Sequence, residues 1–220
     1  EQTPLTPLAR RLGKKLSSGV HRISIPKKSG ISYAGELVRA FLVQSGFSFD
    51  SGNVTLRKIG SGDRLIHTHK NSNSLAEMIA GMLRFSNNFT ANQLLLSVGL
   101  KRYGAPATLE KGIRALKEYL RKELGIPEKQ FRIAEGSGIS RKNRLTPEAI
   151  WQLLKAFSEQ RNLLHGENGI LYKTGTLRGV STMAGYLTGS KPRYFVILLN
   201  QQKNRRDQIL KLLLASNFSE

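Results

Sequence analysis

Lys173-Thr174-Gly175-Thr176 is the stretch of this 220-residue chain with the plainest chemistry. It sits at the end of a predicted strand. There the lysine places a fixed positive charge at a sheet edge, and the two hydroxyls can hydrogen-bond a carboxylate. The glycine removes a side chain, so a substrate can lie against the backbone. The amide of Thr176 can serve as an oxyanion donor. Together these groups suit a peptide substrate that ends in a free carboxylate. The same letters also suit a basic turn between two strands. A second candidate is Ser86-Asn87-Asn88, in a break between two helical patterns that contains neither Gly nor Pro. Such a break marks a place where function overrides local propensity. A hydroxyl at Ser86 and an amide at Asn88 can face one cleft, or the pair can cap the helix that follows. A further Ser-x-Asn, at Ser51-Gly52-Asn53, reads as a turn before a strand. A third candidate is the polar loop Glu135-Gly136-Ser137-Gly138-Ile139-Ser140, which either shapes a pocket or is a solvated connection.

The elements that must carry these residues follow from periodicity. Residues 1–22 read as a polar, basic lead-in and residues 21–26 as a short strand. Residues 33–44 form a helix with Leu37, Val38, Phe41 and Leu42 on one side and Gly46 as its stop. Strands are expected at 53–59 and 64–67. Ser74 and Glu77 have capping-box spacing at the head of a helix. A helix resumes over 90–98, and a long one spans 108–124 before Gly125 and Pro127. Thr146 caps and Pro147 opens another, running to about residue 160. Strands at 169–172, 180–187 and 194–200 form an antiparallel meander, with a turn at 188–192, and residues 205–214 close the chain as a helix. The order describes an α+β layer with helices packed on an antiparallel sheet.

Bulk properties exclude several classes. Hydrophobic residues at 39% and charged residues at 23% describe a globular chain. No apolar run has transmembrane length. The opening residues carry no export signal, so a signal is expected to have been removed or to lie upstream. The absence of cysteine excludes a disulfide scaffold and a cysteine nucleophile. With 35 basic and 15 acidic residues the net charge is +20, which attracts polyanions. The basic residues Lys14, Lys27, Lys58, Arg102, Lys122, Arg141 and Arg205 are scattered, and aromatics are only 7%. No nucleic acid partner is therefore expected. His67 and His69 share a strand face, but only Asp63 and Glu77 lie near in sequence, and no metal site is expected. Trp151 reads as core.

In combination these segments resemble the low-molecular-mass class C penicillin-binding proteins, the dacB-type or S13 serine D-alanyl-D-alanine carboxypeptidases. The family pairs a Ser-x-x-Lys box with a Ser-x-Asn box and a Lys-Thr-Gly box. Here the resemblance rests on Gln2-Thr3-Pro4-Leu5-Thr6-Pro7-Leu8, Tyr33-Ala34-Gly35-Glu36-Leu37 and Ser86-Asn87-Asn88. It continues through Gly136-Ser137-Gly138-Ile139-Ser140-Arg141, Asn143-Arg144-Leu145-Thr146-Pro147 and Tyr172-Lys173-Thr174-Gly175-Thr176-Leu177. Ala184-Gly185-Tyr186-Leu187 and Phe195-Val196-Ile197-Leu198-Leu199-Asn200 complete it. One departure is Glu135, where the family loop usually begins with Asp.

The resemblance implies a β-lactamase/transpeptidase-like domain over residues 64–220, preceded at 1–63 by the tail of an inserted accessory domain. It implies the catalytic residues Ser86, Asn88 and Lys173. Ser86 moves a proton toward the leaving amine, Asn88 holds the substrate's peptide amide, and Lys173 supplies charge. Thr174 and Thr176 bind the terminal carboxylate, with Gly175 and Ile139 completing the substrate site. The implied partners are peptidoglycan peptides ending in D-Ala-D-Ala and β-lactams, in an extracytoplasmic setting and with no cofactor. Ser24-Ile25-Pro26-Lys27 is the sole Ser-x-x-Lys match, and Pro26 argues against the helix such a box must open. The nucleophile is therefore expected on a further N-terminal segment or chain, and residues 1–220 alone are expected to be inactive. The alternative is an inactive protein that binds wall peptides or polyanions.

Overall fold

The computed structural model describes residues 5–19, 21, 23, 25, 29–189 and 193–216, in two compact units, Glu1–His69 and Lys70–Glu220. In the first unit, Thr6 accepts a hydrogen bond from the Ala9 amide and Pro7 opens helix α1 (Pro7–Gly13), which the polar sequence had not suggested. Buried Leu8 donates its amide to Glu36 at 2.8 Å. Helix α2 (Gly30–Gln44) begins three residues before the expected start. The stop at Gly46 is a left-handed φ of +91°. Of the expected apolar side, Val38 and Phe41 stay 60% and 46% exposed, so this face is not core among the described residues.

The strands expected at 53–59 and 64–67 do not form. Alternation makes a strand only where a partner strand takes up its backbone groups. Here Ile59, Leu65 and Ile66 are 80–90% exposed. Of the strand expected at 21–26, residues 21, 23 and 25 are described and lie in no strand, while Arg22, Ser24 and Pro26 fall outside the described residues, as does Lys27.

The second unit follows the expected architecture more closely. Helix α3 (Leu75–Phe85) opens with the Ser74–Glu77 capping box, both bonds present. Helix α4 (Asn88–Tyr103) starts earlier and runs longer than the resumed helix expected over 90–98. It packs against α5 (Leu109–Glu118) at backbone distance, since a Cβ on Gly99 would lie 2.4 Å from the Gly112 nitrogen. The long helix expected over 108–124 keeps α geometry only to Glu118 and finishes in a π-helical turn, Tyr119–Glu123. A two-residue ladder, β1 (Phe131–Arg132) with β2 (Arg144–Leu145), pinches the base of the 135–143 loop. Helix α6 (Pro147–Ala156) ends in a 3-10 segment, Ser158–Leu163.

The sheet has four antiparallel strands in chain order: β3 (His165–Glu167), β4 (Ile170–Leu177), β5 (Val180–Leu187) and β6 (Arg193–Leu199). Three had been expected, because the polar triplet of β3 gives no hydrophobic signal. Side chains alternate between two cores. Ile170, Met183, Leu187, Phe195 and Ile197 meet Leu210 of the closing helix α7 (Arg206–Ser216). On the opposite face, Tyr186, with Leu171, Ala184 and Val196, meets Leu154 and Ile150 of α6 and Leu83 of α3. Each fully buried residue of this size contributes about 1.5–3 kcal/mol. Tyr186 donates to the Leu154 carbonyl at 2.7 Å, and burial pushes its phenol up to about 12. Gly185 is required by the pairing: a Cβ there would lie 2.0 Å from the Leu171 carbonyl oxygen.

Candidate active site

Ser86 ends α3 in a left-handed conformation, φ 50° and ψ 48°. A serine there costs roughly 1–2 kcal/mol, a strain that collects at functional positions. The cap of α4 is neither Ser86 nor Asn88. It is Asn87, whose side-chain oxygen accepts from the Thr90 amide at 3.0 Å. Ser86 and Asn88 are thus released from capping and lie exposed on either side of the cap residue.

Lys173 reaches this break from β4. Its Nζ donates to Ser86 Oγ at 2.6 Å, across 87 positions of sequence, and to the Thr174 carbonyl at 2.6 Å. Half-burial lowers its proton affinity, and the nearby Arg206 charge lowers it further. The Lys173-Thr174-Gly175-Thr176 stretch is not a turn and not a strand end. β4 continues through it to Leu177, and the turn falls at Arg178-Gly179. β3 pairs only with Ile170, Leu171 and Tyr172, so among the described residues the outer edge of β4 beside Lys173 to Leu177 has no strand partner. Such an edge can take an extended peptide. A Cβ on Gly175 would lie 2.5 Å from Thr182 Oγ1, so any side chain there would have to displace the cross-strand hydroxyl.

The 135–143 loop forms a second wall. The Glu135 carboxylate accepts from the Ser137 amide at 2.7 Å and from the Ser137 hydroxyl. It also accepts from the Gly138 and Ser140 amides at 2.8 and 3.2 Å, and from the Asn143 side chain at 2.6 Å. Burial opposes its ionisation, but the bonds from Ser137, Ser140 and Gly138 outweigh this and hold the carboxyl below the usual glutamate range. The loop is tied to α4, four residues beyond Asn88, by the Gly136 amide donating to Asn92 at 2.8 Å. Arg141 donates to the Arg178 carbonyl, tying it to the β4–β5 turn. Ile139 is 55% exposed on this loop.

The structure thus joins Ser86 to Lys173 directly and holds Thr174, Gly175 and Thr176 on the same strand. Among the described residues no hydrogen bond links Asn88 or Ile139 to them. The sequence reading missed Arg206, whose guanidinium donates to Thr176 Oγ1 at 3.0 Å. It also missed the roles of Asn92 and Asn143. Only the third dimension brings these groups to the site.

Helices on both faces of an antiparallel sheet, with a lysine-bearing edge strand against a serine at a helix break, define a transpeptidase-like fold. The family model for the D-Ala-D-Ala carboxypeptidase 3 (S13) family matches residues 17–170, and the chain belongs to that family. The D-alanyl-D-alanine carboxypeptidase DacB of Haemophilus influenzae is 28% identical over 184 residues, 73% of this chain and 38% of its own length. The D-alanyl-D-alanine carboxypeptidase of Actinomadura sp. is 26% identical over 196 residues, 76% of this chain and 36% of its own length. The chain therefore spans less than two-fifths of the curated relatives it matches. The fold matches penicillin binding protein 4 (dacB) of Haemophilus influenzae, solved in complex with a β-lactam. The TM-score is 0.69 at 22% identity, over 86% of this chain and 52% of that one.

Proposed function

We propose that residues 70–220 supply the Ser-x-Asn and Lys-Thr-Gly walls of a serine D-Ala-D-Ala carboxypeptidase site acting on peptidoglycan stem peptides outside the cytoplasm. The observation that carries this reading is the 2.6 Å bond from Lys173 to Ser86, which unites two motifs 87 residues apart. A serine hydroxyl attacks the carbonyl of the penultimate D-Ala, and the bond to the terminal D-Ala nitrogen breaks. The proton released by the attacking hydroxyl reaches that leaving amine by way of Ser86, which gives up one proton and takes up another, with the Lys173 charge beside it. Water then hydrolyses the serine ester. Asn88 holds the peptide amide, Thr174 and Thr176 take the terminal carboxylate, and Ile139 contacts the substrate from the loop. The Thr176 amide and the nucleophile's own amide form the oxyanion hole. The nucleophile comes from a segment other than Ser24-Ile25-Pro26-Lys27, and residues 1–63 are the tail of an accessory domain.

Intact-mass spectrometry of the purified protein, with and without a β-lactam, tests this. A companion segment that gains the drug's mass in the presence of this chain supports the reading. An adduct on this chain at Ser24 refutes the placement of the nucleophile. An acylated companion that behaves identically when Ser86 and Lys173 are replaced by alanine refutes the roles given to those residues.

A further inference from the structure

Arg206 opens α7, with its backbone amide held by the Asn204 side-chain oxygen at 3.1 Å. Its side chain crosses to β4, where one terminal nitrogen donates to Thr176 Oγ1 at 3.0 Å and more weakly to the Gly175 carbonyl at 3.4 Å. The arginine side chain is only 18% exposed, and its Nε forms no hydrogen bond. Asp207 lies 3.5 Å from that nitrogen but is itself 69% exposed, a pairing that neutralises little charge.

A guanidinium donates and cannot accept. Thr176 must therefore accept from Arg206, and its own hydroxyl hydrogen is free to donate elsewhere. Arg206 thus fixes the direction of the Thr176 hydroxyl and stands behind it as a charge. That charge also reaches Lys173, where it adds to burial in disfavouring the ammonium. A largely buried guanidinium with so little compensating charge is relieved by an anion arriving at the Thr176 hydroxyl. The planar fork of arginine matches a carboxylate better than a lysine point charge does.

We propose that Arg206 is the carboxylate-specifying residue of this cleft: it holds the Thr176 hydroxyl as a donor and makes the site prefer a peptide ending in a free carboxylate over one ending in an amide. This rests on the peptide-binding reading given above. Arg206 acts on the ligand through Thr176 and through its own charge, and takes no part in the acyl transfer.

The test is a titration of the full chain, followed by NMR or calorimetry, with a peptide ending in D-Ala-D-Ala as the free acid and as its C-terminal amide. The wild-type protein is expected to prefer the acid by about tenfold to a hundredfold, the strength of one or two charge-assisted hydrogen bonds. Raised salt should narrow that preference. Arg206→Gln is expected to abolish it and Arg206→Lys to restore part. Thr176→Val, which leaves the arginine in place, should lose part as well. Both ligands are measured on each variant, so general destabilisation leaves the ratio unmoved. An undiminished preference in Arg206→Gln, or none in the wild type, overturns the inference and leaves the peptide-binding reading standing. A wild-type chain that binds neither peptide takes down both.

Discussion

Replacing Glu135 by glutamine keeps the size of the side chain and removes its charge. The carboxylate serves two groups of donors: the amide and hydroxyl of Ser137 on one oxygen, and Gly138, Ser140 and Asn143 on the other. An amide retains an acceptor for the group of three. It then turns its NH2 toward the Ser137 amide, donor against donor, while the Ser137 hydroxyl can rotate to accept. The lost amide bond costs about 1 kcal/mol, and leaving a half-buried donor unpaired costs about 1 more. The three surviving bonds fall from charge-assisted to neutral strength, about 0.5 kcal/mol each where solvent screens them. The expected loss is about 3.5 kcal/mol.

Trp151, the only tryptophan and a residue of α6, reports unfolding of the same unit. Urea melts at pH 7 should therefore show Glu135→Gln well below wild type. Because the folded carboxyl is held below the usual range, the wild-type advantage is complete above the unfolded glutamate value of about 4.3 and fades as pH falls through the folded value. Equal midpoints at pH 7 would refute the reasoning. So would a gap that persists undiminished far into acid. Glu135→Asp, the residue usual in the family loop, keeps the charge with less reach and should fall between the two.

Four further outcomes follow from the geometry. Ser86→Gly should be more stable than Ser86→Ala by about 1 kcal/mol in the same melts, because both lack the hydroxyl and only glycine accepts the left-handed backbone. Asn87→Ala should cost about 1 kcal/mol and Asn88→Ala only a few tenths, since the capping bond belongs to Asn87. Gly185→Ala should cost about 3 kcal/mol, because the added carbon meets the β4 backbone and no side chain can yield. The Lys173 ammonium should titrate below the ordinary lysine value in nitrogen-detected NMR, and Arg206→Gln should raise it, because a neighbouring positive charge is removed, while Arg206→Lys, which keeps that charge, should leave it low.

The sequence was most readable where local chemistry and periodicity agree. The Ser74–Glu77 capping box, the Thr146-Pro147 helix start and the alternation of β5 all survive in the structure because each is set within a few residues. The expected strands at 53–59 and 64–67 failed because pairing is not a local property. β3 escaped notice for the converse reason: His165, Gly166 and Glu167 carry no apolar signal and become a strand only by pairing with β4. The extent of β4 was underestimated for a related cause. Its Lys-Thr-Gly-Thr stretch is polar, and β5 holds it in extended form opposite Ala184, Met183, Thr182 and Ser181. At the candidate site, Ser86 and Lys173 were legible as residue types in motifs. Arg206, 30 positions beyond Thr176, carried no signal beyond belonging to a basic pair.

The two hydroxyls of the cleft share one electrostatic logic. Ser86 accepts from the Lys173 ammonium and Thr176 accepts from the Arg206 guanidinium. Neither cation can accept in return while protonated, so neither hydroxyl hydrogen is taken up by its cation. The one carboxylate of the adjoining loop adds no competing acceptor, because Glu135 is occupied by donors of its own loop. Negative charge is thus spent inside the loop, and positive charge is presented along the open edge of β4. On the peptide-binding reading proposed above, a site so polarised is expected to discriminate by the charge of the ligand's end group before it discriminates by shape. That is the property a site needs if it is to act next to a peptide's terminal carboxylate and ignore amides within a chain.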